Sequence, residues 1–135
     1  MLRILVVEDS FTTRAFVRAA LEEGGSLLGD LEVVEAASGF DALRLLPRGN
    51  YDLVITDINM PDINGLELVQ FIRKSERHRA LPILLISTQS SERDRERGLS
   101  LGADDYLIKP FSPDSLRQTV AELLSPARER DNPHG

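Results

Sequence analysis

At 135 residues, with 16 basic and 22 acidic side chains and a net charge of -6, the chain has the length of about one domain, able to bury roughly two thirds of its unfolded surface. The acidic balance leaves no cationic footprint for nucleic acid or anionic membrane, and zero cysteines exclude disulfides, thiolate metal sites and cysteine nucleophiles. A protein or a small ion is the expected partner, in a reducing cytoplasm.

Five short apolar runs rich in β-branched residues alternate with amphipathic stretches, the pattern of βα units around a parallel sheet. The first is Ile4-Leu5-Val6-Val7. MLRILVVED turns acidic too soon for a signal peptide, and no stretch approaches the roughly 18 apolar residues of a membrane span. After Ser10, the residues Thr13, Phe16, Val17, Ala20 and Leu21 fall on one helical face, with Arg14, Arg18 and Glu22 opposite. LEEGGSLLGDLEV then leads into the second run, Leu31 to Ala36. Gly39 to Leu46 reads as a short helix closed by Pro47, and Leu53 to Ile55 as the third strand, followed by Thr56 and Asp57.

Gly65 to Lys74 is a helix carrying Leu66, Leu68, Val69, Phe71 and Ile72 toward the core, and Ile83 to Ile86 is the fourth strand. SSERDRERGLSLG, residues 90 to 102, is unlike the other helices: only Leu99 and Leu101 are large and apolar, and Gly98 lies inside. It reads both as a solvated face stitched by pairs such as Glu92 with Arg95 and Asp94 with Arg97, and as a weakly anchored element that moves when the protein switches. Tyr106 to Ile108 is the fifth strand. Ser112 as N-cap and Pro113 at the first helical position open the last helix, whose stripe is Leu116, Val120, Leu123 and Leu124. The pattern makes residues 1–125 one domain and 126–135, PARERDNPHG, a disordered tail or the start of a linker.

In a doubly wound α/β sheet the ligand crevice lies at the carboxyl ends of the strands, where strand order reverses. Four of the five runs deliver polar groups there: Glu8-Asp9, Asp57, Ser87-Thr88 and Lys109-Pro110. Singly each has a bland reading, since an Asp after a strand commonly makes a turn or caps a helix; the joint occurrence argues against coincidence. Like charges about 4 Å apart repel by roughly 4 kcal/mol at an effective dielectric of about 20, against a domain stability of roughly 5–15 kcal/mol. One lysine cannot balance three carboxylates, so either a carboxyl stays protonated or a cation enters. An all-oxygen site with few protein ligands favours Mg²⁺ over Ca²⁺. Beside such an ion Asp57 is a candidate phosphoryl acceptor, with Ser87 and Lys109 to meet phosphoryl oxygens.

LVVEDS, ITDINMPDINGLEL, LLIST and GADDYLIKPF, in that order, resemble the receiver domains of bacterial two-component response regulators over residues 2 to 125, and among them the short single-domain chemotaxis type. The resemblance implies a flavodoxin-like α/β fold, a doubly wound five-stranded parallel sheet in the order 2-1-3-4-5 with five helices. It implies that Asp57 takes a phosphoryl group from a histidine kinase's phosphohistidine; that Asp9 binds Mg²⁺ directly, Glu8 through water and Asn59 through its backbone carbonyl; and that Lys109 and Ser87 act as the family's lysine and hydroxyl. Tyr106 becomes the switch aromatic, turning inward when Ser87 moves toward the phosphoryl group, and the fourth helix, fifth strand and fifth helix form the face that meets a downstream protein. A cis peptide between Lys109 and Pro110 is implied as well. Such a protein is a switch with slow self-dephosphorylation, which Asn59 and Gln89 would tune, and not an enzyme.

The sequence departs from the family in Ser87, where threonine is commoner, in Glu-Asp where Asp-Asp is frequent, and in a longer connection before the second strand. Four other readings fit less well. An aspartate-nucleophile phosphohydrolase of the haloacid-dehalogenase type needs Asp-x-Asp, yet Ser10 and Phe11 follow Asp9. A flavin module would have its phosphate repelled by Glu8-Asp9. An EF-hand in DINMPDING places Pro61 and Leu68 at ligand positions. A receiver-like interaction module that signals without phosphate lacks none of the site residue types, and absence of metal binding would favour it.

Overall fold

The computed structural model describes residues 1–23, 25–88 and 92–125. In chain order the elements are β1 (Leu2–Val7), α1 (Phe11–Glu22), β2 (Leu31–Ala36), α2 (Gly39–Leu45), β3 (Leu53–Asp57), α3 (Gly65–Lys74), β4 (Ile83–Ser87), α4 (Glu92–Leu101), β5 (Asp105–Ile108) and α5 (Pro113–Leu124). A single helical turn, Gly25–Leu28, lies between α1 and β2, and a 3₁₀ turn, Leu46–Arg48, follows α2. The five strands form one parallel sheet in the order β2-β1-β3-β4-β5, as expected.

Successive strand side chains point to opposite faces, and the core divides accordingly. Ile4, Val6, Leu53, Ile55, Leu84 and Ile86 pack with Val17, Leu21, Leu116, Val120 and Leu123 of α1 and α5. Leu5, Val7, Val54, Ile83 and Leu85 pack with Ala42, Leu68, Val69 and Ile72 of α2 and α3. With helices on both faces, every residue of β3 and β4 is buried, which is why these strands read as unbroken apolar runs.

Several local expectations need correction. Phe71 is 52% exposed, because at 100° per residue it falls about 100° from the centre of the Leu68, Val69 and Ile72 stripe. Phe16 is 40% exposed and lies instead against Phe111, ring centroids 5.9 Å apart. Pro47 sits inside the 3₁₀ turn and does not simply stop α2. Arg14 and Arg18 are not merely solvent-facing: both bind Glu35 of β2, at 2.8 and 2.9 Å. Neither Glu92–Arg95 nor Asp94–Arg97 is among the ion pairs of the described residues. The long α1–β2 connection holds the extra turn, anchored by buried Leu28 and left through Gly29 at φ 73°, a backbone state that glycine adopts without steric cost. The readings of residues 126–135, of Gln89 and of Ser90 as part of the fourth helix fall outside the described residues.

Candidate functional site

The carboxyl ends of β1, β3, β4 and β5 bring the expected polar groups together. Glu8 follows β1 directly: its N–H donates to Ala36 O at 3.0 Å, and its side chain is only 1% exposed. Its Oε2 accepts from the N–H of Ser10 at 3.0 Å, and its Oε1 from Lys109 Nζ at 2.8 Å. Asp57 is itself the last residue of β3 and is buried; Lys109 Nζ stands 3.3 Å from its Oδ1. Asp9 and Asn59 are exposed at the rim. One carboxylate oxygen from each of Glu8, Asp9 and Asp57 lies within 4.8 Å of the others.

Charge decides the chemistry of this crevice. Burial raises the Glu8 carboxyl above its ordinary value despite the Lys109 hydrogen bond, and burial raises Asp57 likewise despite the charge of Lys109. Burial alone would pull the Lys109 ammonium down, but the hydrogen bond to Glu8 and the charges of Asp57 and Glu8 outweigh it and hold the group above its ordinary value. The lysine is therefore fully charged and already engaged by two carboxylates. What remains is an oxygen-only acidic cluster with surplus negative charge, a donor set suited to a hard divalent ion. The cluster fits a Mg²⁺ site of the receiver type.

Gly65 lets backbone approach the site closely. A Cβ on Gly65 would stand 2.3 Å from Asp57 O and 2.8 Å from Ile58 Cα, so only glycine lets α3 start against the end of β3, where its N–H donates to Ile58 O at 2.8 Å. Asn64 caps α3 in a capping box with Glu67. Asp62, which sequence reasoning did not single out, accepts from the N–H groups of Gly39 and Phe40 at 3.3 and 2.9 Å. It thereby ties the loop after Asp57 to the start of α2, and the Phe40 N–H chiefly holds its carboxyl below the ordinary value. The available signal was an acid inside a loop rich in turn residues, which does not say which helix it caps.

Ser87 is fully buried at the end of β4, and Tyr106 of β5 is 7% exposed. Their side chains are hydrogen bonded, and burial raises the phenol above its ordinary value. Tyr106 thus already occupies the inward position that was expected to follow a movement of Ser87. The Lys109–Pro110 peptide is cis.

The chain is similar to known proteins over most of its length. A family model described as the response regulator receiver domain matches residues 4–121. The "Chemotaxis protein CheY homolog" of Campylobacter jejuni is 34% identical over 124 residues, 91% of this chain and 92% of that protein. The "Transcriptional regulatory protein CusR" of Escherichia coli is 38% identical over 123 residues, but those cover 51% of its length. Among solved structures, the chemotaxis response regulator CheY4 of Vibrio cholerae superposes with a TM-score of 0.83 at 34% identity, covering 92% of this chain and 99% of that one.

Proposed function

The chain belongs to the response regulator receiver domain family and is a phosphorylation-activated switch of two-component signalling, and we propose that Asp57 is its phosphoacceptor. Receivers of this kind interact with histidine kinases and downstream targets; they are signalling proteins, not classical enzymes. The single observation that carries the assignment is the convergence of three carboxylates and Lys109 at the switch point of the sheet, with Asp57 on a strand buried along its whole length.

In the proposed transfer an Asp57 carboxylate oxygen attacks the phosphorus of a phosphohistidine. The new O–P bond forms as the P–N bond breaks, and the imidazole leaves with the electron pair and takes a proton. Lys109 meets one phosphoryl oxygen and the Ser87 hydroxyl donates to another. Asp9, Glu8, Asp57 and the carbonyl of Asn59 are the groups that would hold Mg²⁺. That ion supplies positive charge for the phosphoryl oxygens. Water slowly reverses the modification by hydrolysis of the acyl phosphate.

Phosphorylation adds about -1.5 to -2 of charge. When the Ser87 hydroxyl turns to the phosphoryl group it gives up its bond to Tyr106, and the face of α4, β5 and α5 answers. Sparse anchoring of α4, in which Gly98 is the only buried residue described, supports this face as the output surface. We place the receiver unit at residues 1–125, with the remaining ten as tail or linker, and its site of action in the cytoplasm; among the described residues no helix is long and apolar enough to cross a membrane.

The test is intact-mass measurement after incubation with Mg²⁺ and a small acyl phosphate. One added phosphoryl group is expected in the native protein and none in Asp57→Ala; labelling that persists in the variant moves the acceptor elsewhere. Unchanged amide exchange in α4 with and without a phosphoryl mimic would sink the output face.

A further inference from the structure

We propose that Arg14 is the positioning residue of the acidic corner, and that the affinity of the site for a divalent cation depends on it; this rests on the phosphoacceptor reading above. The sheet ladder of β1 ends at Val7, and the guanidinium of Arg14 takes the next carbonyl, Glu8 O, at 2.8 Å. The backbone N–H of the same residue donates to Ser10 O at 2.9 Å. That bond is the first i→i−4 bond of α1 and holds the Ser10 end of the turn Glu8-Asp9-Ser10 whatever the side chain; the Arg14 guanidinium adds the hold at the Glu8 end, with Asp9 between the two. The N–H of Ser10 closes the turn from inside through Glu8 Oε2.

The clamp is itself anchored. Arg14 Nε donates to Glu35 Oε1 at 2.8 Å, Arg18 pairs with the other oxygen of Glu35 at 2.9 Å, and Arg18 also donates to Val33 O at 2.6 Å. The Arg14 side chain is 14% exposed, and its guanidinium lies 5.7 Å from the centre of the Phe11 ring. Arg14 shares Glu35 with Arg18 and meets the corner through the backbone carbonyl of Glu8, not through a carboxylate, so what it supplies there is position. Its planar fork spans two acceptors, one on β2 and one just past the end of β1, which the single point charge of a lysine cannot do.

The experiment uses the full chain in three forms beside wild type: Arg14→Gln, Arg14→Lys and Arg18→Gln. The last loosens Glu35 yet leaves the contact with Glu8 O. Mg²⁺ affinity is read by calorimetric titration, and labelling by a small acyl phosphate is read by intact mass as a function of Mg²⁺ concentration. Partners of metal ligands typically change affinity by about 10- to 100-fold. Arg14→Gln and Arg14→Lys are expected to weaken Mg²⁺ by about tenfold, toward the lower end of that range, and Arg18→Gln by much less. Saturating Mg²⁺ should restore the wild-type extent of labelling in all three, a split that general loss of structure would not give. Equal Mg²⁺ affinity in wild type and either Arg14 variant overturns the proposal, as does a deficit that saturating Mg²⁺ does not restore. Should Arg14→Gln not fold, Arg14→Lys carries the same comparison. A wild type that takes up neither Mg²⁺ nor phosphoryl sinks the phosphoacceptor reading and this one with it; a wild type that does both, with no change in the variants, sinks this one alone.

Discussion

Replacing Lys109 by Met keeps most of the stem and removes the cation that bridges two buried carboxylates, its Nζ lying 2.8 Å from Glu8 Oε1 and 3.3 Å from Asp57 Oδ1. At an effective dielectric of about 20 each contact amounts to roughly 5 kcal/mol before desolvation. The variant cannot lose that much, because Glu8 can take up a proton and share it with Asp57. Protonating a carboxyl whose ordinary value is 4.5 costs about 1.4 kcal/mol per pH unit, which caps the loss near about 3.4 kcal/mol at pH 7 and about 1.4 kcal/mol at pH 5.5. Since Glu8 and Asp57 are already raised in the wild type, part of that cost is present before the substitution. We expect about 2–3 kcal/mol at pH 7 and less than about 1 kcal/mol at pH 5.5. The sign follows from linkage: the native state of the variant binds a proton that the unfolded chain releases, so stability is present at low pH and lost as pH rises through the raised folded values. Urea unfolding of both proteins at the two pH values in the presence of a chelator measures the difference. An equal penalty at both would show that lost packing, not uncompensated charge, is what Lys109→Met removes.

Asp57→Asn deletes a buried carboxylate held above its ordinary value, so the metal-free protein should gain about 1 kcal/mol and melt a few degrees higher while losing all labelling; a lower Tm refutes the view that the charge costs stability. Gly65→Ala pushes a methyl toward the backbone oxygen of Asp57, which cannot yield as a side chain would, and should cost about 2 kcal/mol in urea unfolding and slow labelling. Tyr106→Phe and Ser87→Ala each remove one partner of the same hydrogen bond, and a double-mutant cycle should return a coupling of about 1 kcal/mol; additive losses would refute the link. Protons compete with the ion for Glu8 and Asp57, both raised, so Mg²⁺ affinity should fall between pH 7 and pH 5.5 by more than ordinary carboxylates would give, as read by calorimetry.

The strands were legible because burial on both faces leaves a simple mark: Leu53 to Ile55 and Ile83 to Ile86 are unbroken apolar runs. Asp57, Glu8, Ser87 and Lys109 were legible for the related reason that parallel strands present their carboxyl ends on one edge. Phe16 and Phe71 were misplaced because apolar character alone does not separate the core stripe of a helix from its margin. Arg14 looked like a solvent-facing residue, and only the crossing of α1 over β2 brings Glu35 and the carbonyl of Glu8 within its reach. Asp62 was invisible for a similar reason: the N–H groups it satisfies lie on α2, 23 and 22 residues earlier in the chain. Periodicity finds elements and strand ends, while contacts between a loop and a distant helix start depend on the assembled fold.

That division bears on how the switch would work. Asp57 and Ser87 end strands whose every residue is buried, so neither can retreat when charge is added between them. The loop after Asp57 is pinned on its far side by Asp62 and by the close approach of Gly65. The acidic corner is gripped by Arg14. Yielding is left to the side where packing is thin: β5 has a single buried residue, Tyr106, and α4 touches the core through Gly98, where a Cβ would stand 2.5 Å from Leu85 Cδ1. An element seated on a glycine loses little packing when it shifts, whereas one seated on a leucine would leave a cavity. On the proposed reading, a phosphoryl charge at Asp57 would be relieved through Ser87 and Tyr106 toward α4 and β5, because the other sides are held by the hydrogen bonds of Asp62 and Arg14 and by the backbone approach at Gly65.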